Sequence, residues 1–340
     1  MSVSSSIKKT INLFHNRPKG WLNFLINHLF AVLRIPYAPL TPISAIIEPT
    51  NICNLRCPVC ETGAGILKRK KGLMSFNNFK RIIDNIPMLN NILLYFMGEP
   101  LLNKDIYKMI KYAHDNNIII SICTNGEFLN PDKILESGLD EINFQIGGIT
   151  QKTHSIYRIN GRITRTIENI KKLIDKRNKL IKNGDKVKIK IILGFIVMKH
   201  NEHEINDAKK MSKNLGVDEI NFIAPAIRNI KQGNKFMPKD KKYWFYDRNS
   251  FKKGVLIPKV LPNNKCYYLW NAMAIFCNGD IVPCCRDAQG DYIMGNIFND
   301  SLKSIWNNKK YRSFRKMVLN NQKEIKLCKL CSGYGVDIQK

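Results

Sequence analysis

The chain has 340 residues, 44% hydrophobic and 24% charged, which argues against a largely disordered protein and predicts one large domain with a smaller one appended. Fifty-five Lys and Arg against 27 Asp and Glu leave a formal charge of +28, a balance that favours anionic partners such as nucleic acid, phosphorylated substrates or an anionic membrane. The lysines are scattered among many Asn and Ile rather than gathered in an arm, as codon bias alone would also produce, so charge by itself selects no partner.

The first 20 residues contain no apolar run followed by a small-residue cleavage site, so a cytoplasmic setting is expected. Residues 21–35, WLNFLINHLFAVLRI, are apolar apart from Asn23, Asn27, His28 and Arg34, with Lys8, Lys9, Arg17 and Lys19 before them. As a helix this stretch spans about 22 Å, short of the ~30 Å hydrocarbon core. It is expected to pack on the main domain, the alternative being to lie flat as a peripheral membrane contact. Residues 1–42 are read as a basic, apolar helical segment.

From residue 43 to 225, short runs rich in Ile, Val and Phe alternate with helical patterns. Strands are expected at 43–47, 92–96, 118–122, 141–146, 187–197 and 219–223, nearly continuous in apolar character as strands covered on both faces should be. Helices are expected at 75–85, 104–116, 164–183 and 202–215, with Asn130 before Pro131 as a helix start and Gly216 as a helix stop. Six strand–helix units in order predict a parallel α/β sheet curling toward an incomplete barrel. Ligands gather at the carboxyl ends of such strands. There the chain carries Glu48 and three cysteines, then FMGEP (96–100), CTNGE (123–127) and FQIGG (144–148), all on one rim.

Residues 226–265 are polar and basic with Pro225 and Pro238 close by, and read as a linker or loop excursion. Residues 266–340 form a cysteine-rich region holding Cys266, Cys277, Cys284, Cys285, Cys328 and Cys331, with Asn278-Gly279 as a hairpin turn and a helix starting near Asp300. Cys123 and Cys277 lie in apolar runs and read as small core residues. Asp287 and Asp291 read as solvated loop positions, the alternative being a base toward a substrate.

Ten cysteines clustered in a chain with no export signal read as metal or redox chemistry rather than a disulfide framework. Cys53, Cys57 and Cys60 are spaced three then two, which is not the paired spacing of a zinc knuckle. Three thiolates hold three irons of a cubane and leave the fourth open to bind something. Four of the C-terminal cysteines could close a cluster fully, and the same residue types could also build a structural zinc site.

The loop CNLRCPVC, placed after the first strand of this α/β pattern, resembles the radical SAM superfamily, whose fold is a partial (β/α)6 barrel. The resemblance implies a [4Fe–4S] cluster on Cys53, Cys57 and Cys60, with S-adenosylmethionine chelating the open iron. A low-potential donor such as flavodoxin or ferredoxin is implied with it. In that family the position before the last cysteine is usually aromatic, and here it is Val59. MGEP resembles the second-strand motif, which assigns Gly98 and Glu99 to the methionine ammonium. TNG matches the third-strand motif and assigns Thr124 and Asn125 to the cofactor. QIGG stands where the family has Ser-Ile-Asp-Gly, so Gln145 replaces the Ser and Gly147 the Asp.

The C-terminal cysteines, with GNI…SL…IW, resemble the SPASM or twitch extensions that bind auxiliary [4Fe–4S] clusters. One auxiliary cluster on Cys266, Cys284, Cys328 and Cys331 is implied, with Cys285 as the competitor of Cys284. The function so implied is hydrogen abstraction by a 5′-deoxyadenosyl radical, followed by oxidation of the substrate radical through the auxiliary cluster. A sugar or cyclitol alcohol is the first expectation for the substrate. A peptide maturase or the modification of a lipid-linked substrate is the alternative, and from another class a basic iron–sulfur or zinc module that binds nucleic acid. That last reading leaves Glu99 without a role, and nucleic acid is not expected as a partner.

Overall fold

The computed structural model describes residues 18–331, so Lys8, Lys9 and Arg17 lie outside the described residues. Helix α1 (Pro18–Val32) begins with proline in its first turn and stops short of the expected 35. Arg34 there takes a left-handed φ of 60°, and Ile35 precedes a proline, a position that disfavours helix.

The strand–helix alternation then runs in the predicted order, with the second strand ending at Leu93 rather than 96 and the fifth starting at Lys190 rather than 187. Strand β1 (Ser44–Ile47) leads through the cysteine loop to α2 (Phe76–Asn85), whose first turn is capped by the Ser75 hydroxyl accepting from the Asn78 N–H. Next come β2 (Asn91–Leu93), α3 (Ile106–Asp115), β3 (Ile119–Thr124) and α4 (Pro131–Glu136), the last capped by Asn130 as expected. Strand β4 (Glu141–Ile146) is followed by two helices, α5 (Gln151–Tyr157) and α6 (Ile163–Lys182). Strand β5 (Lys190–Ile196), α7 (Ile205–Leu215) and β6 (Glu219–Ile223) complete the series, with Gly216 ending α7 at φ 78°.

Residues 226–265 are more structured than a linker. They hold α8 (Ile230–Phe236) and α9 (Arg248–Lys252), and a bridge pairs Tyr246 with Pro258. Ile227, Met237, Trp244, Phe245 and Tyr246 form a small buried cluster of their own. The lysines and asparagines between these apolar residues hid the pattern.

The cysteine-rich region contains α10 (Tyr268–Asn271), β7 (Ala272–Ile275), β8 (Asp280–Val282), β9 (Gly295–Asn296), α11 (Leu302–Trp306) and α12 (Lys309–Asn321). The β7–β8 hairpin turns through Gly279 at φ 87°, as the Asn-Gly signal predicts. What the sequence did not predict is its partner. Strand β7 pairs in parallel with β1, so one sheet runs β6-β5-β4-β3-β2-β1-β7-β8-β9.

Burial alternates strictly along β1, β3 and β4. Ile47, Ile122, Ile142 and Phe144 face the helices and are buried in the main core. Ser121, Cys123, Asn143 and Gln145 point to the other face, the inner wall, and remain half-buried. Cys123 therefore lies on this inner wall rather than in the core.

Candidate active site: a cysteine loop on one rim of the sheet

The loop after β1 brings Cys53, Cys57 and Cys60 together. Each of Cys57 and Cys60 lies near enough to Cys53 to oppose its ionisation. The three sulfurs share a cup with Leu55, Val59, Tyr157, Met198 and Phe236. Burial pushes the Cys53 thiol up to about 12 and raises the Cys60 thiol as well, so both protons must leave when a metal binds. The loop is held tightly. A Cβ on Gly63 would meet the Cys57 nitrogen at 2.5 Å, and the Arg228 guanidinium donates to the Val59 carbonyl.

The GEP and TNG motifs brace this loop. Gly98 has φ +85°, and a Cβ there would meet the Thr50 and Ile52 carbonyl oxygens at 2.6 and 2.7 Å. The Glu99 N–H donates to the Ile52 carbonyl at 2.8 Å. The buried Glu99 carboxylate accepts from the Thr124 hydroxyl at 2.6 Å, the Asn125 N–H at 2.8 Å and the Leu101 N–H at 3.1 Å. Burial still lifts its pKa to about 6, the three hydrogen bonds holding the rise in check. Asn125 reaches the cysteine loop itself, donating to the Asn54 side-chain oxygen at 2.9 Å. Gly98, Glu99, Thr124 and Asn125 thus form one network against the loop.

Gln145 sits apart from that network. It lies on the inner wall of β4, donating to Asn143 at 2.7 Å, and a Cβ on Gly194 would come within 2.3 Å of its nitrogen. At Gly147, where the Asp is missing, a Cβ would stand 3.1 Å from the Arg158 Cγ, so a side chain there would crowd that arginine.

Arg158 is the residue that sequence reasoning missed. It caps the end of α5, lies 3.6 Å from the Cys57 sulfur through one guanidinium nitrogen, and stands over the Tyr157 ring. Its buried Nε has no hydrogen-bond partner among the described residues. A buried, unsatisfied cationic donor beside three thiols is suited to an anionic group. His154 below it is held neutral, its pKa lowered to about 4 by burial and then by the Arg158 charge.

Glu48, at the end of β1, was singled out only by position. Its carboxylate is fully buried and takes a bidentate pair from Arg69 at 2.7 and 2.8 Å. Arg69 also donates to the Ala288 carbonyl at 2.7 Å and lies 3.6 Å from the centre of the Phe276 ring. The cysteine loop and the C-terminal region are clamped together at this point.

In the C-terminal region Cys266, Cys284, Cys285, Cys328 and Cys331 gather, Cys285 lying near Cys266 as well as Cys331. Cys284 faces Cys266 and Cys328, while Cys331 faces Cys266, Cys328 and Cys285. Backbone N–H groups of Tyr268 and Leu269 support the Cys266 sulfur, and that of Arg286 supports Cys284. Cys285 is exposed and Cys284 half-buried. Asp287 is not solvated. It is buried and accepts from the Asp291 and Tyr292 N–H groups at 2.8 Å each, shaping the loop after the cysteine pair. Among the described residues no three His, Cys, Asp or Glu side chains converge as closely as a single ion requires. A cubane takes its thiolates at separate corners, and the soft sulfur donors at each place are of the type that suits one.

Comparison with known proteins agrees with this geometry. Residues 47–211 match the model of the radical SAM superfamily, and residues 266–332 match the SPASM iron–sulfur cluster-binding domain. The chain is 26% identical over 226 residues to an AdoMet-dependent heme synthase of Methanosarcina barkeri, covering 64% of this chain and 61% of that one, less than two thirds of its length. It is 24% identical over 301 residues to an S-adenosyl-L-methionine-dependent 2-deoxy-scyllo-inosamine dehydrogenase of Niallia circulans, covering 86% of this chain and 94% of the relative. The fold is similar to that of Streptococcus suis SuiB bound to S-adenosylmethionine, with a TM-score of 0.62 at 17% identity, over 86% of this chain and 73% of that one. Two cysteine sets on one α/β sheet, each within a matching family model, lead to one assignment: the chain belongs to the radical SAM superfamily and carries a SPASM-type iron–sulfur domain, with S-adenosylmethionine and [4Fe–4S] clusters as cofactors.

Proposed function

We propose that this enzyme oxidises a C–H-bearing alcohol of the sugar or cyclitol type, with the C-terminal cluster as internal electron acceptor. When bound, the cofactors supply a 5′-deoxyadenosyl radical that takes a substrate hydrogen atom, and an acceptor for the electron released as the substrate loses a proton. Cys53, Cys57 and Cys60 would hold the first cluster, and Cys266, Cys284, Cys328 and Cys331 the auxiliary one. Glu99 is poised to accept from a cationic ammonium and Arg158 to pair with a carboxylate, opposite charges suited to the two ends of an amino acid. Gln145 and Asn143 offer amide groups on the inner wall, where a polyhydroxylated substrate would need them.

The observation that supports the reading is the parallel pairing of β7 with β1, which joins the cysteine-rich region to the sheet that carries the cysteine loop. The match to the dehydrogenase along 94% of its length supports the substrate class. The test is anaerobic turnover with a panel of cyclitols and sugars deuterated at the carbinol carbon. Deuterium should appear in 5′-deoxyadenosine together with a carbonyl product, and Cys57→Ala should abolish both. Cleavage of S-adenosylmethionine with no deuterium transfer from any alcohol would reject the substrate class. Cleavage by Cys57→Ala at the native rate would reject the cluster assignment itself.

A further inference from the structure

Helix α1 is inverted. A surface helix ordinarily buries its apolar stripe and shows its polar face to water. Here Asn23 and Asn27 are 8% and 0% exposed, whereas Leu22, Leu25, Leu29 and Val32 are 52%, 39%, 53% and 52% exposed. The two asparagines are turned inward by their bonds. Asn27 donates to the Leu40 carbonyl at 3.0 Å and accepts from the Leu40 N–H at 3.1 Å, and Asn23 reaches the Thr41 carbonyl at 3.4 Å. Residues 35–40 are tied in turn to the C-terminal region, since Trp270 donates to the Ile35 carbonyl at 2.9 Å and Trp306 to that of Leu40 at 2.8 Å. The leucine face is therefore held outward by a rigid polar anchor.

The stripe recurs at 22, 25, 29 and 32, one side of a helix, and continues into exposed Leu33 and Ile35. Its electrostatics are one-sided. Residues 1–47 contain Lys8, Lys9, Arg17, Lys19 and Arg34 and no Asp or Glu. Exposed Lys265 and Tyr267 adjoin the end of the helix, lining with Val32, Arg34 and Cys266 a recess of about 60 Å³. Among the described residues no helix is long and apolar enough to cross a membrane.

An outward apolar stripe in a segment whose sequence carries cations and no anions has the chemistry of an interfacial helix. We propose that α1 docks the protein on an anionic lipid surface, with Leu22, Leu25, Leu29 and Val32 entering the acyl boundary and Lys265 at the headgroups beside exposed Arg34, whose guanidinium also donates to the Leu319 carbonyl. The all-cationic flank is why a lipid surface, and not a second copy of this equally basic chain, is the occupant. Docked this way, the Cys266 end of the molecule faces the bilayer. The inference does not depend on the reaction proposed above.

The test is flotation of the full-length protein, clusters loaded, with phosphatidylcholine vesicles and with phosphatidylcholine–phosphatidylglycerol vesicles. The protein should float with the anionic vesicles at least about tenfold more than with the neutral ones. Leu22→Ser/Leu25→Ser/Leu29→Ser/Val32→Ser should lose that binding by more than about tenfold, with iron content and S-adenosylmethionine cleavage unchanged because all four side chains are exposed. Arg34→Gln/Lys265→Gln should reduce the preference for anionic lipid and leave the cluster content alone. Undiminished flotation of the serine variant would overturn the proposal, as would absence of flotation by the native protein. A native dimer that becomes monomeric in the serine variant would assign the face to a second copy and overturn it too.

Discussion

Gly98→Ala tests whether the GEP turn holds the cysteine loop in place. Two costs are separable in the structure. The first is conformational, because φ at Gly98 is +85°, a region an L side chain enters at about 1–2 kcal/mol. The second is steric. The new methyl would stand 2.6 and 2.7 Å from the Thr50 and Ile52 carbonyl oxygens, which belong to backbone and cannot rotate away. Overpacking of this kind adds about 1–3 kcal/mol. Relief comes by pushing residues 50–52 aside, and Cys53 is the next residue. Gly184 supplies the control, with φ +94° and nothing within 4 Å, so Gly184→Ala carries only the first cost. After anaerobic reconstitution Gly98→Ala should lose roughly half of the iron of a two-cluster protein while keeping the auxiliary cluster. Gly184→Ala should keep both clusters and lose only a few degrees of Tm. Equal stability and full iron in the two variants would refute the bracing role of the turn.

Arg69→Leu should cost about 3–5 kcal/mol in thermal or urea unfolding, since it leaves the Glu48 carboxylate buried and unpaired, and adding Glu48→Gln should recover part of that loss. Glu99 predicts a pH dependence in the metal-free protein. Its folded pKa of about 6 lies above its ordinary 4.5, so its stabilising contribution is complete below pH 4.5 and is lost as pH rises through 6. The lost contribution is about 2 kcal/mol, and Glu99→Gln should remove that part of the pH slope. Cys284→Ser should lose the auxiliary cluster by iron and sulfide analysis, and Cys285→Ser should retain it. Arg158→Leu should load its clusters normally yet bind S-adenosylmethionine at least about tenfold more weakly by equilibrium dialysis.

How far the sequence could be read depended on whether a signal was local. Strands β4 and β6 match the predicted 141–146 and 219–223 at both ends, because each apolar run is bounded by residues that cannot continue it. Asn130 and Gly216 announced a helix start and a helix stop through their own backbone chemistry. Side chains that act across the fold left no such mark. Arg158 is one of 55 basic residues, and nothing in its neighbours says that α5 will end beside Cys57. The inversion of α1 was hidden for a related reason. Asn23 and Asn27, four apart, look like the polar face of an amphipathic helix until Leu40 and Thr41 are seen to take their amides.

The Glu48–Arg69 pair shows what the unpredicted β1–β7 pairing achieves. Arg69 lies on the segment leaving Cys60, and its guanidinium is fixed by a carboxylate from β1, an aromatic face from the C-terminal hairpin and the carbonyl of Ala288. Ala288 follows Asp287, whose carboxylate shapes the turn just after Cys284 and Cys285. One half-buried cation, paired with a fully buried carboxylate, therefore touches, within a few residues, both loops that carry cysteines. A buried ion pair is a weak source of net stability but a strict judge of geometry, because either partner left alone is costly. Here the strictness falls on the registry between the two cysteine sets. If that registry is what the pair maintains, a well-packed apolar replacement of both residues should recover much of the lost stability while leaving the two loops free to shift, so that iron content survives and the coupled oxidation proposed above falls.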